Sequence, residues 1–299
     1  MLFIALLSVG NEVFCQELEP RRWSHLPTGI SFFGLGTAYT FGDILFNPAM
    51  QIEDSDVKTM GIAAAYIRTF DMFGKSARID MSLPYAEGRW EGLLAGEPAK
   101  ADRKGLGDSR LRLSVNLFGA PPLKGKAFAG YQAENPVSTT VGAAVAVTLP
   151  TGEYRSEQLI NLGGNRWIIR PQMGVLHQRH KWQFELTGSV FLFGDNEDFW
   201  MERGLKQDPL WFIQGHAVYT FRPGLWASLS TGYAHGGRSH VAGSPLTDDS
   251  RLSYWKISLG VPITPRQGLN FGFAAGRTNT RNDGDLYRFA MGWSMMFGH

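Results

Sequence analysis

The side chains best suited to chemistry in this chain sit in one register of short alternating runs. Arg78 with Asp80, Arg110 and Arg112 with Asn116, Arg170 with Gln172, and Gln214 with His216 are spaced by even numbers of residues, and Glu185, Lys256 and Arg288 occupy similar runs. Side chains alternate across a β-strand, so each run sets these groups on one face and residues such as Ile79, Met81, Leu111, Leu113, Phe289 and Met291 on the other. Many neighbours on the polar face are Gly, Ala, Ser or Thr, whereas the exposed face of a soluble sheet is usually rich in Lys and Glu. These twelve residues are therefore candidates for the lining of a confined, wet lumen. Two roles stay open for them: a charged channel lining, or Arg and acidic pairs that neutralise each other and stiffen the interior. Adjacent strands can bring Arg110 or Arg112 to Asp80, and the cationic excess favours small anionic or aromatic-acid solutes.

Other chemistries find less support. His216 is the best candidate for a general base, but nothing in the sequence places a serine beside it, and a satisfied interior histidine is the favoured reading. Gly74-Lys75-Ser76 lacks the upstream glycine of a phosphate-cradling loop, and Gly105-Leu106-Gly107 lacks the third glycine of a dinucleotide fingerprint; both read as turns. No His-Glu-x-x-His or paired-Cys motif offers a metal site, and His177 and His180 bracket a short basic turn. The acidic loop residues Glu53, Asp54, Asp56, Asp248 and Asp249 suit divalent ions bridging lipopolysaccharide, with plain solvation the favoured alternative. No catalytic, cofactor or metal site is assigned.

The elements that must position the inward groups follow from the alternation. It predicts strands over residues 29–42, 57–70, 76–86, 108–118, 138–149, 165–177, 181–193, 209–221, 225–235, 251–262, 269–277 and 286–297. In the last, Phe289, Met291, Trp293, Met295 and Phe297 face one way and Arg288, Ala290, Gly292 and Ser294 the other. A bilayer satisfies no exposed backbone group, so a sheet crosses it only when closed. The expected fold is all-β, a transmembrane antiparallel up-and-down barrel of about twelve strands. Brief connections at 70–76, 178–181, 222–224 and 263–268 alternate with longer polar ones, as periplasmic turns alternate with outer loops. Residues 119–137, with Pro121, Pro122 and Pro136, are long for a periplasmic turn and read either as a periplasmic loop or as a small plug folded into the lumen. Tyr39, Tyr66, Tyr85, Trp167, Trp182, Tyr219 and Trp293 fall in the outward register, as interfacial girdles require.

Composition bounds the rest. A chain of 299 residues, 43% hydrophobic and 19% charged, shows no break between two domains, and a formal charge of +2 with scattered basic residues gives no footing for nucleic acid. Residues 1–15 read as a signal peptide, 16–28 as a short N-terminal segment, and 29–299 as the barrel. The basic stretch that opens such signals is missing, which leaves a start upstream of Met1 or no signal at all; the first is adopted. Cleavage after Cys15, the sole cysteine, would leave a thiol-free mature chain, and Phe14 argues against acylation of that cysteine. Expected partners are outer-membrane lipid and lipopolysaccharide, the barrel-assembly machinery through the strand ending at Phe297, and a small-molecule solute.

Several segments resemble the bacterial outer-membrane transporter family labelled "putative MetA-pathway of phenol degradation". They are Gly105-Leu106-Gly107-Asp108, Leu149-Pro150-Thr151-Gly152-Glu153-Tyr154, Asn161-Leu162-Gly163-Gly164-Asn165-Arg166-Trp167, Gln207-Asp208-Pro209 with Gln214 and His216, Gly224-Leu225-Trp226 and Gly236-Gly237-Arg238. Each is weak alone; their order carries the likeness over most of the chain. The resemblance implies an outer-membrane pore, with aromatic or other hydrophobic compounds suggested by the label. Asn47-Pro48-Ala49 resembles a tripeptide in the N-terminal plug of long-chain fatty-acid outer-membrane transporters, but it falls after the first strand and reads as coincidence. The expected function is a passive or ligand-gated channel, with a structural or adhesive barrel as the alternative and a barrel hydrolase third.

Overall fold

Alternation of apolar and small or polar residues does close this chain into a barrel. The structure is a computed structural model that describes residues 18–43, 52–94, 97–200, 203–241, 244–245, 250–278 and 284–298. The signal-peptide reading, Cys15, Asn47-Pro48-Ala49, and Asp248 and Asp249 lie outside the described residues, as do the side chains of Glu53 and Asp54.

The elements run β1 (Ser31–Asp43), β2 (Ile52–Met72), β3 (Lys75–Leu94), β4 (Glu97–Leu106), β5 (Arg110–Phe118), α1 (Gly125–Glu134), β6 (Val137–Thr148), β7 (Ile168–Arg179) and β8 (Trp182–Phe193). They continue with β9 (Leu205–Gln207), β10 (Leu210–Arg222), β11 (Leu225–Gly236), β12 (Ser239–Val241), β13 (Ser244–Pro245), β14 (Ser250–Thr264), β15 (Gln267–Thr278) and β16 (Gly284–Phe297). Twelve of the strands form one antiparallel circuit, closed where Ser31 of β1 meets Phe297 of β16. β4 is a thirteenth strand that hydrogen-bonds only to β3. A three-stranded patch of β9, β12 and β13 stands apart at the rim. With every ladder partnered around the ring, the barrel has no edge to expose to lipid.

The outward register is apolar across most of the barrel wall. Ile62, Met81, Leu113, Met173, Leu186, Ile213, Leu229, Ile257 and Phe289 are exposed, while their chain neighbours point inward. This band is what hydrocarbon would cover. Burial along β3 alternates residue by residue from Arg78 to Trp90. Four hairpins at one end turn on two residues each: Phe73-Gly74, His180-Lys181, Pro223-Gly224 and Pro265-Arg266. Phe73 and Gly74 both have positive φ, 52° and 75°, the geometry that matches the twist of the flanking strands. By the short-turn rule this end is periplasmic.

Several expected outer loops carry strand: β2 begins at Ile52, β9 lies within 194–208, and β12 and β13 lie within 236–250; of the two readings of 119–137, the loop is the one present. Residues 87–107, read as an outer loop, extend β3 and add β4, held by ion pairs Arg89–Asp102 at 2.8 Å and Lys100–Glu91 at 3.5 Å. The loop reading failed because the outward positions here are Glu87, Arg89 and Glu91 rather than apolar residues, and β4 is exposed along most of its length, so the apolar alternation ends although the ladder continues. Residues 119–137 cost the barrel no strand pair. They stay at the periplasmic end as a loop carrying α1, and a different segment fills the lumen.

Candidate functional site: a filled lumen

Residues 18–28 run up the inside of the barrel. They have no strand periodicity, but Leu18, Arg21, Arg22, Trp23, Ser24, His25, Leu26 and Thr28 are all buried. At the periplasmic base the Thr28 N–H donates to Leu123 O at 2.8 Å. His25 bonds through Nε2 to Pro121 O at 2.7 Å and through Nδ1 to Gln132 at 3.1 Å, and packs edge-on against Phe128 and Tyr131. Loop 119–137 thus grips the foot of the inserted segment. At the far end Leu18 joins Phe191, Leu210, Phe212, Leu252 and Tyr254 in the outer half of the lumen, and Lys256 Nζ donates to Leu18 O at 3.1 Å.

Between these ends the segment is fixed by one carboxylate. Glu185 of β8 accepts the backbone N–H groups of Arg21 at 2.6 Å, Arg22 at 3.2 Å and Trp23 at 3.0 Å. A buried chain with no ladder partner needs acceptors from elsewhere, and a carboxylate supplies several at once. Trp23 Nε1 donates to Thr187 Oγ1 at 2.8 Å, and its ring lies where Cβ atoms would stand on two wall glycines, 2.2 Å from the one on Gly142 and 2.1 Å from the one on Gly174. Those glycines make the slot. Arg21 stacks over Trp226 at 5.2 Å.

Charge ties the segment to the opposite wall. Arg22 Nη1 donates to Asp80 Oδ2 at 2.7 Å and its Nη2 to Ser114 Oγ; Arg112 bridges Asp80 Oδ2 at 3.1 Å and Glu19, and Arg110 stands 3.4 Å from Glu19. Asp80 and Arg112 are direct cross-strand partners, so the expected Arg–Asp contact is present, extended by two residues of the inserted segment. Higher up, Arg170 lies over Phe191 at 4.4 Å and Phe212 at 5.5 Å and donates to Ser189 at 3.1 Å.

Of the candidate lining residues, Arg78, Asp80, Arg112, Arg170, Gln172, Glu185, Gln214, His216 and Arg288 are buried on the inward register, and Arg110, Asn116 and Lys256 are half-buried there. The structure brings Asp80, Arg110 and Arg112 together around Glu19, and Gln214 and Lys256 onto the inserted segment. Asn116 Nδ2 donates to Ser76 Oγ at 3.1 Å. His216 Nε2 bonds Gln214 Oε1 at 3.1 Å, and across the ladder it faces Ser230 on one side and Glu185 on the other. A serine does therefore sit in register with it, but both oxygens of Glu185 are occupied by the inserted backbone, so the third group of a triad is committed elsewhere. Sequence reasoning missed Glu19, Arg22 and Trp23, and the signal for them was the row of inward glycines with nothing on their own strands to fill the space.

Apart from Gly224-Leu225-Trp226 at a periplasmic hairpin and Gln214 and His216 on the lumen wall, the segments that carried the family resemblance lie at the outer rim. Asp108 accepts the N–H groups of Gly152 and Gly164, both at 2.8 Å; burial pushes its carboxyl up from the usual range while those bonds pull it back. Gly152 and Gly163 touch backbone to backbone, each Cβ position lying 2.8 Å from the other's main chain. Tyr154 and Gly164 both accept from Asn196 Nδ2. Arg166 reaches Gln207 Oε1, Gln207 Nε2 donates to Gly237 O at 3.0 Å, and Asp208 N to Arg238 O at 2.8 Å. Gly236 has φ 103°, and a Cβ there would lie 2.7 Å from Pro209 O. Loop 150–164 then leans Leu162 and Ile160 onto Val57, Ala86 and Trp90, across the mouth.

A family model described as "Putative MetA-pathway of phenol degradation" matches residues 53–288. No curated protein sequence matches the chain. Among solved structures, the COG4313 outer membrane channel from Pseudomonas putida F1 is similar with a TM-score of 0.76 at 20% identity, over 94% of this chain and 100% of that one. The transport unit of the autotransporter AIDA-I from Escherichia coli is similar with a TM-score of 0.51 at 9% identity, over 92% of each chain. At these identities the likeness is one of fold.

Proposed function

The chain belongs to the family described as the putative MetA-pathway of phenol degradation, and we propose that it is an outer-membrane channel for small solutes whose lumen is closed by residues 18–28. The observation that carries this reading is the capture of three consecutive backbone N–H groups of that segment by Glu185. The segment is held by polar contacts and by three separate apolar clusters at Leu18, Trp23 and Leu26, and it can leave without unfolding the wall around it, since the barrel ladders do not pass through it. The solute class we infer is small aromatic compounds, anionic ones included. Supporting this are the family's description, the guanidinium-over-phenyl arrangement of Arg170 with Phe191 and Phe212 in the outer half, and the predominance of arginine over carboxylate along the inner wall. The twelve candidate residues then form the lining that a solute meets once the segment moves.

The filled lumen favours one second reading, a structural barrel that never opens. Liposome swelling with benzoate and phenol separates the two: solute entry above protein-free liposomes supports the channel, and none in wild type and segment-deleted protein alike supports the structural barrel. The solved structure from Pseudomonas putida F1 that this barrel resembles is an outer membrane channel, which supports the first reading.

A further inference from the structure

We propose that the periplasmic end of the lumen holds one small monovalent anion, of halide or single-carboxylate size, between the guanidinium groups of Arg22 and Arg78. A cavity of about 20 Å³ lies there, room for one water-sized species, bounded by Arg22, Ser24, Ser76, Arg78, Ser114 and Asn116 among others. Its lining holds two guanidinium groups and no carboxylate. Arg78 is 6% exposed; its Nη1 has no hydrogen bond, and its Nε stands 3.4 Å from Asp80 Oδ1 without bonding it. Arg22 Nε also has none. Ser76 Oγ accepts from Asn116 and Ser114 Oγ accepts from Arg22, which leaves both hydroxyl hydrogens to be donated.

Charge points the same way. Two guanidinium groups, Arg22 and Arg78, line the cavity and no carboxylate does; Asp80, behind them, is paired with Arg22, Arg78 and Arg112 at once, and Glu185 is taken up by the inserted backbone. One carboxylate shared among three guanidinium groups leaves a net positive charge beside the cavity, and a buried donor left unmade adds to the cost. A water molecule would supply lone pairs but no charge; an anion supplies both, and a cation would meet only repulsion. Because Arg22 belongs to the inserted segment and Arg78 to β3, the anion would also tie the segment to the wall.

The test is anomalous diffraction from crystals of the full protein grown in bromide, which stands in for chloride. The expected result is an anomalous peak within hydrogen-bonding reach of Arg22 and Arg78, lost in Arg78→Gln. No peak in the wild type, or a peak of equal height in Arg78→Gln, overturns the proposal. A free halide and the carboxylate of a short acid share this chemistry, so a third crystal in bromide with excess formate assigns the site: a retained peak to halide, a displaced one to carboxylate. The readout is independent of transport, since a barrel that never conducts would still show the peak.

Discussion

Replacing Glu185 with glutamine keeps the size of the side chain and removes the charge that the inserted backbone depends on. In the wild type one oxygen accepts from Arg21 and Arg22 and the other from Trp23. The amide keeps a single acceptor, so at least one N–H loses its partner and then faces an NH₂ donor instead. Hydrogen bonds to charged groups contribute about 1.5–3 kcal/mol each. Losing one and weakening the others therefore costs about 2–4 kcal/mol of docking, a change of roughly thirtyfold to a thousandfold in the ratio of docked to released segment. Hydrogen exchange reads this directly at the amides of Arg21, Arg22 and Trp23, which should lose protection by that factor, while amides in the β7–β8 ladder keep theirs. Unchanged exchange at those three amides, or equal loss along β7 and β8, would refute the reasoning.

Further outcomes follow from the same geometry. Gly174→Val places side-chain atoms where the Trp23 ring lies and should expel the segment without altering its sequence, raising bilayer conductance; Gly188→Val, where a Cβ meets nothing within 4 Å, should leave conductance unchanged. Asp108→Ala leaves the Gly152 and Gly164 N–H groups unpaired and should loosen loops 150–164 and 107–109 by about 2–4 kcal/mol, read as faster proteolysis of the outer rim with an intact barrel band on unheated gels. Burial holds His25 below the 6.5 of an ordinary histidine. A depressed histidine stabilises its contacts above that value and loses them as pH falls through the lower folded one, so acidification should free loop 119–137 for trypsin at Lys124 and Lys126, and His25→Gln should abolish that pH dependence.

Most of the barrel was legible because a membrane imposes two solvents on alternate residues: the strand ending at Phe297, with Arg288 to Ser294 inward, needs no context to be read. The lumen's contents were not. Residues 18–28 carry two arginines, a tryptophan and a histidine between prolines, which locally reads as a solvated lead-in. Their partners, Asp80, Ser114, Glu185 and Lys256, lie 58 to 238 residues away, and no local pattern encodes such pairings. Inward glycines are legible as small lumen-facing positions, but what Gly142 and Gly174 make room for is the Trp23 ring, which comes from a distant part of the chain. The order of the family motifs along the chain is legible in the sequence; that Asp108 gathers Gly152 and Gly164 is not.

The most direct measurement is single-channel conductance in planar bilayers of the full chain and of a variant lacking residues 18–26. The account predicts small or rare openings for the full chain and a several-fold larger, long-lived conductance for the deletion, with strand content unchanged. Equal conductance in the two proteins would contradict it.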